Sequence, residues 1–311
     1  MAKSDCVLSK VEILPLQSMT LTREQFLLGE RNAAPEWIAG ELRLPMIRDK
    51  APAVLLVHGS FGVRANVDAW ANRFVGMGIA PFVIDCFNGR GLTGTGTELW
   101  KFSTVAMIVD VFESLCLLGR HPRIDPRRIA VMGVSRGASA ALYASMRRFQ
   151  RLHGPIGLAF AAHVALYPFC NMEYLEEDDV SDVPIRVFHG AADDWTPVET
   201  VRHYIGKLQR VGKDAELVEF ADAYHSYDVV GDVKVPLPLQ NAGKCRYLEQ
   251  PRGAVINRET GEPDGPHDAC MSVGATIGYH RAAHDATVTA VSDLFARIFE
   301  LGRAPERRSE A

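Results

Sequence analysis

The sequence predicts an α/β fold with a mostly parallel central sheet and helices on both of its faces. Three observations predict it. Short, wholly apolar runs such as Ala53 to Val57 recur from about residue 50 onward, and runs without polar alternation read as strands buried on both sides. Helix-length amphipathic segments separate them, which is the alternation that builds parallel sheets. The first of these runs also ends in a glycine-bearing loop, His58-Gly59-Ser60-Phe61-Gly62, and open sheets of this class place their sites at such strand ends.

Taken in order, Ala53 to His58 is the first buried strand. Asn66 to Met77 has helical spacing, with Val67, Trp70, Phe74 and Met77 on one face. Ile79 to Asp85 is a second strand, and Ser103 caps a helix that runs to about Gly119. Arg128 to Val134 is a third strand, followed by one helix from Ala138 to Phe149. Val164 to Tyr167, Pro184 to His189 and Glu216 to Phe220 continue the sheet, with a helix at Val198 to Val211. Thr287 to Leu301 closes the chain as a helix with Val288, Val291, Leu294, Phe295 and Ile298 on one side.

Two regions break the alternation. In residues 1–50, the runs Val11 to Leu16 and Trp37 to Leu44 suit antiparallel strands at the sheet edge. Residues 229–278 are rich in glycine, proline and charge and have little periodicity, so they read as an irregular excursion or functional cover. The expectation is a single domain over residues 1–311, with a polar tail from Arg303 to Ala311 that frays.

Composition narrows the function. The chain of 311 residues is 47% apolar and 23% charged, with a formal net charge of -4. That balance supports a sizeable core and offers no basic surface for nucleic acid or an anionic membrane. The expected partner is a small molecule, and self-association stays open. The N-terminal MAKSDCVLSKVEILPLQ has no unbroken apolar run before Pro15, so no signal peptide is read and the expected compartment is the cytoplasm. Six cysteines without a C-x-x-C are too sparse for a disulfide scaffold. Cys245 and Cys270 allow a disulfide, which would point to export, or a zinc site with His267; packed thiols are the simplest reading, and no metal or other cofactor is expected.

The chemistry concentrates in Gly133-Val134-Ser135-Arg136-Gly137, a G-x-S-x-G with a strand before it and a helix after it. Glycines are needed two positions either side because the serine sits on a tight turn that projects its hydroxyl above the sheet. A lone serine is a weak nucleophile and requires a base held by a carboxylate. In the α/β-hydrolase fold these follow in the order Ser, Asp or Glu, His. His189-Gly190-Ala191-Ala192-Asp193-Asp194 supplies the acid just past a strand. Asp193 is preferred because it lies three residues past Gly190, with Asp194 as the alternative. His225, after the last predicted strand, combines the right order with the right position for the base. The oxyanion donors are expected to be the backbone N–H groups of Arg136 and Ser60, while His58 braces its loop through hydrogen bonds. Phe61, Phe87, Trp195 and Tyr227 lie near these loops and are candidates for the substrate pocket.

Five segments together resemble the dienelactone hydrolase family: HGSFGV at 58–63, DCFNGRG at 85–91, GVSRGA at 133–138, HGAADDWTP at 189–197 and AYHSYD at 223–228. The resemblance implies an α/β-hydrolase fold and a cofactor-free hydrolase acting on carboxylic esters or lactones through an acyl-enzyme. Members proper use a cysteine nucleophile where this chain has Ser135, and a glutamate where Gly59 stands. Arg90 lies near a position at which the family holds its substrate, which makes it a further candidate. An amide or C–C hydrolase, an acyltransferase, or a non-catalytic binding protein on the same fold are the alternatives.

Overall fold

The computed structural model describes residues 7–302; the first six residues, part of the N-terminal stretch expected to hold no signal peptide, and the tail 303–311 expected to fray lie outside the described residues. The chain runs β1 (Leu8–Met19), α1 (Arg23–Leu28), β2 (Pro35–Pro45), β3 (Ala51–Val57), α2 (Ala65–Gly76), β4 (Ala80–Asp85), α3 (Thr104–Arg120) and β5 (Ile124–Val134). Then come α4 (Arg136–Tyr143), α5 (Arg147–His153), β6 (His163–Leu166), β7 (Met172–Glu173), β8 (Ile185–Gly190), α6 (Val198–Arg210) and β9 (Ala215–Phe220). Four short strands follow, β10 (Lys234–Asn241), β11 (Tyr247–Glu249), β12 (Val255–Asn257) and β13 (Ser272–Ile277), before α7 (Arg281–Ile298).

Eight strands form the main sheet in the order β1-β2-β4-β3-β5-β6-β8-β9. Strands β4 to β9 of that order pair in parallel, and β1 and β2 add antiparallel pairings at one edge. Burial on both faces explains the apolar runs. In β3, Ala53, Leu55 and Val57 join the larger core cluster, packed with α3, α4 and α6, while Val54 and Leu56 join the cluster packed with α2 and α7. The period of two along a strand therefore feeds two separate cores. Ser103 caps α3, its hydroxyl accepting from the Ala106 amide at 3.2 Å.

Three expectations are corrected. The helix expected over 138–149 is two helices, α4 and α5, broken at 144–146. There the Ser145 hydroxyl donates to the Leu142 carbonyl at 2.6 Å, and Met146 leaves the helix to bridge Val180; a serine that bonds a nearby carbonyl competes with the helix it sits in. The closing helix begins at Arg281, six residues before the expected start, because His280 Nδ1 caps it by accepting from the Ala283 amide. The excursion is also more ordered than its composition implied. Its strands β10 and β13 pair with each other, and β11 pairs with β12 and with β7.

Cys245 and Cys270 are joined in a disulfide, which corrects the reading of packed thiols and consumes both sulfurs that a zinc site with His267 would need. Disulfides persist mainly in oxidising compartments. Cys86 and Cys170 are buried free thiols. Among the described residues no helix is long and apolar enough to cross a membrane.

Candidate active site

Ser135 sits between the end of β5 and the start of α4 with φ 54° and ψ -121°, a left-handed backbone that a non-glycine residue adopts only under strain. Close packing imposes it. A Cβ on Gly133 would lie 2.1 Å from the Gly137 carbonyl oxygen, and one on Gly137 would lie 2.3 Å from that of Val57. The two glycines thus let α4 press onto the strand ends and aim the serine hydroxyl above them. The Ser135 amide is fixed by the Leu166 carbonyl at 2.9 Å.

His225 follows β9 and brings Nε2 to 2.9 Å from Ser135 Oγ, while Nδ1 lies 2.7 Å from Asp193 Oδ2. Asp193 is turned to that task by its own loop. Its Oδ1 accepts from the amides of Trp195 at 3.0 Å and Thr196 at 2.8 Å, the local side-chain-to-backbone turn that aspartate favours. Burial pushes the Asp193 carboxyl upward, but His225 and these donors outweigh it and hold the group below the usual carboxylate range. An ionised Asp193 keeps the proton on Nδ1 and leaves the Nε2 lone pair facing the serine.

The alternative acid, Asp194, points elsewhere: its carboxylate accepts from the Thr276 amide and hydroxyl, each at 2.7 Å. Ser60 and Arg136, the expected oxyanion residues, both line the cavity that opens on Ser135, and the two are bonded to each other from Arg136 Nε to Ser60 Oγ at 3.2 Å. The Arg136 amide is at the first position of α4, where no carbonyl of the helix is available to it. His58 holds the Ser60 loop down: Nδ1 donates to the Gly59 carbonyl at 2.8 Å and Nε2 accepts from the Cys86 amide at 3.0 Å. Burial lowers its pKa, keeping it in that neutral tautomer.

The pocket candidates separate. Trp195 lines the cavity, Phe61 packs behind it with ring centroids 5.8 Å apart, and Phe87 is buried against the His58 ring at 4.5 Å. Arg90 is corrected: its guanidinium is buried in a pair with Asp110 at 2.8 Å and also reaches Glu36 at 2.6 Å, between the sheet edge and α3. Tyr227 is corrected as well. It is fully buried against Tyr167 and Phe220, its hydroxyl 3.0 Å from that of Thr287.

Sequence reasoning missed two supports. Thr196 donates its hydroxyl to Asp193 Oδ2 at 2.9 Å and lies 3.1 Å from His225 Nδ1; its place three residues after the aspartate was the available signal. Asp228 is buried and accepts from Tyr167 at 2.6 Å, Trp70 at 3.2 Å and Asn66 at 3.3 Å. Tyr167 in turn sets its ring 4.8 Å from that of His225, and Trp195 does the same from the other loop. No local pattern joins Asn66, Trp70, Tyr167 and Asp228, which only the fold assembles. The cavity measures about 150 Å³, and its wall mixes aromatic side chains such as Trp100, Phe169, Tyr174 and Tyr247 with polar ones such as Ser103, Ser139 and Asn171.

Known proteins resemble this chain in sequence and in fold. The chain is 22% identical over 238 residues to the uncharacterized peptidase YuxL of Bacillus subtilis (strain 168); that match covers 63% of this chain but spans only about a third, 33%, of the relative's length. The crystal structure of the dienelactone hydrolase-like promiscuous phosphotriesterase P91, from metagenomic libraries, is similar with a TM-score of 0.59 at 16% identity, covering 93% of this chain and 99% of that one. A thermophilic esterase of Thermogutta terrifontis with propionate bound gives 0.55 at 16% identity, covering 86% and 92%. At these identities the structures speak for the fold, an α/β-hydrolase. The dienelactone hydrolase family profile matches residues 38–246, a span that holds every loop of the site, and the chain therefore belongs to the dienelactone hydrolase family, a family of hydrolases.

Proposed function

We propose that the protein is a serine hydrolase that cleaves a carboxylic ester or lactone through an acyl-enzyme, with Ser135 as nucleophile, His225 as base and Asp193 as the residue that orients the base. The observation that carries the reading is the continuous hydrogen-bonded line from Asp193 Oδ2 through His225 to Ser135 Oγ, at 2.7 and 2.9 Å. His225 Nε2 takes the serine proton as Oγ attacks the carbonyl carbon. The oxyanion is held by the Ser60 and Arg136 amides, each worth about 3–4 kcal/mol at such sites. His225 then gives its proton to the leaving alcohol, and water repeats the sequence to release the acid.

Hydrolysis of p-nitrophenyl esters of increasing acyl length tests this. Ser135→Ala should keep its fold and lose about 10⁵-fold or more in kcat; a variant that keeps more than a hundredth of wild-type activity would sink the assignment. The similarity to a protein named as a peptidase favours amide cleavage as the second reading, and a p-nitroanilide series run beside the esters separates the two. Stoichiometric labelling by a fluorophosphonate distinguishes a working nucleophile from a binding protein that has kept the fold.

A further inference from the structure

Gln240, near the end of β10, ties the excursion to two loops of the site. Its amide donates to the Gly96 carbonyl at 3.0 Å, and its own carbonyl accepts from Trp195 Nε1 at 2.9 Å. With the backbone held from both sides, the side chain delivers Oε1 to the Leu99 amide at 2.7 Å. Leu99 opens a short helical turn, Leu99–Lys101, so no carbonyl of that turn is available to its amide. Packing keeps the two segments close. Leu239 and Trp195 are buried in one small apolar cluster, with Phe61 and Leu99 packed against it. A Cβ on Gly96 would lie 2.9 Å from the Phe61 ring and 3.1 Å from Leu239.

The Leu99 turn in turn holds Arg136. The Leu99 carbonyl accepts from Arg136 Nη2 at 3.0 Å, and the Phe102 carbonyl accepts from Nη1. The remaining arm of the guanidinium, Nε, donates to Ser60 Oγ at 3.2 Å. All three acceptors are neutral oxygens, so the guanidinium stands where the loop between β4 and α3 places its carbonyls. Bonds from a charged donor are stronger than neutral ones, which lets the guanidinium carry a shift of that loop to Ser60. Oxyanion donors act only when aimed at the position the charge will take, and a misplacement of about 1 Å costs up to about a hundredfold in rate.

We propose that Gln240 is a positioning residue for the oxyanion loop. Its Oε1 fixes the Leu99 turn, the carbonyls of Leu99 and Phe102 fix the Arg136 guanidinium, and the guanidinium fixes Ser60. The excursion then does more than wall the cavity, because it sets the geometry of a donor that it does not itself carry. The inference rests on the serine-hydrolase reading for the duty of the Ser60 amide.

Three substitutions separate the carboxamide oxygen from the bulk around it. Gln240→Met removes the acceptor at nearly equal volume. Gln240→Asn keeps the carboxamide but draws it back by one methylene, and Gln240→Glu retains an oxygen within reach of Leu99. With p-nitrophenyl acetate as substrate, Gln240→Met and Gln240→Asn should each lower kcat and kcat/KM together by about tenfold to a hundredfold, the pattern of a contact made only in the transition state. Gln240→Glu should keep most of the activity. Phenylboronic acid, which forms a tetrahedral adduct on a serine, should bind Gln240→Met more weakly by the same factor as kcat/KM falls. Hydrogen exchange over residues 97–103 should quicken in that variant.

Wild-type kcat in Gln240→Met and Gln240→Asn overturns the proposal. So does an equal loss in Gln240→Glu, which would mean that Gln240 serves its own strand and not Leu99. A lower kcat with unchanged boronate affinity overturns it too. Ester hydrolysis persisting in Ser135→Ala would instead refute the serine-hydrolase reading, and unchanged exchange over 97–103 in Gln240→Met would refute the tether under either reading.

Discussion

Asp193 and Asp194 are neighbours in one loop and serve opposite halves of the molecule. Asp193 turns toward the parallel sheet, where its carboxylate meets His225 at 2.7 Å and the Thr196 hydroxyl at 2.9 Å. Asp194 turns the other way and takes hold of the excursion: Thr276 donates its amide and hydroxyl to the carboxylate, and Asn241 donates to the backbone carbonyl at 3.0 Å. The loop after β8 is thus the joint between two regions. One region is a buried sheet whose loops carry the proposed triad, and the other is a tethered wall that contributes Ala242 and Tyr247 to the cavity. Identical side chains one position apart acquire different duties because a tight turn sends successive residues to different sides.

The largest expected effect breaks or confirms that division. Asp193→Asn retains the shape but favours the wrong histidine tautomer, and should reduce kcat/KM about 10⁴-fold with little change in folding. Asp194→Asn should cost less than tenfold in kcat/KM and instead lower stability by about 1 kcal/mol, the cost of weakening a part-buried hydrogen-bond pair. Kinetics and urea unfolding of the two variants side by side decide the matter. A 10⁴-fold loss in Asp194→Asn would mean that the two duties are exchanged.

The two regions also differed in how far the sequence revealed them. In the sheet, strands such as Val54 to Val57 are apolar at every position because both faces are covered, and the glycines around Ser135 mark a turn that few other residues allow. Those signals are local. The excursion is held by contacts that are distant in sequence: Asp194 to Thr276, β7 to β11, Arg148 to Glu249 and Cys245 to Cys270. Its strands are short and irregularly paired, with register shifts between β10 and β13, so they leave no period to read. Arg90 and Tyr227 failed for a related reason. Closeness to an active loop in the chain does not give the direction of a side chain, and both point into buried packing. Thr196 was hidden in plain view, beside an aspartate whose turn gives it a role.

A second effect, intermediate in size, concerns the tether. The Cys245–Cys270 bond closes a loop across a sequence separation of 25. Removing it through Cys245→Ser with Cys270→Ser should cost about 3 kcal/mol, chiefly by freeing the unfolded chain. If the excursion is a separate wall, hydrogen exchange should quicken across β10 to β13 and stay slow in β3, β5 and β6. Equal acceleration throughout would show that the two regions unfold as one and would remove the basis of the comparison.

The smallest effect per step lies in the sheet and follows from pH. His163 in β6 is buried with Nδ1 donating to the Ala141 carbonyl at 2.8 Å, and desolvation lowers its pKa to about 4. His58, His153 and His189 are also lowered by burial. Between pH 6.5 and about 4 the unfolded chain binds a proton at position 163 that the folded chain refuses. Stability therefore falls as pH drops through that window and is unaffected by this group above it. One such histidine contributes a slope of at most about 1.4 kcal/mol per pH unit. Urea unfolding of wild type and His163→Asn at successive pH values should give a shallower acid slope in the variant, by close to one proton, whatever its absolute stability. An unchanged slope would mean that His163 accepts its proton in the folded state. The acid sensitivity would then have to come from the other buried histidines or from the excursion, and hydrogen exchange at pH 5 would show which region opens first.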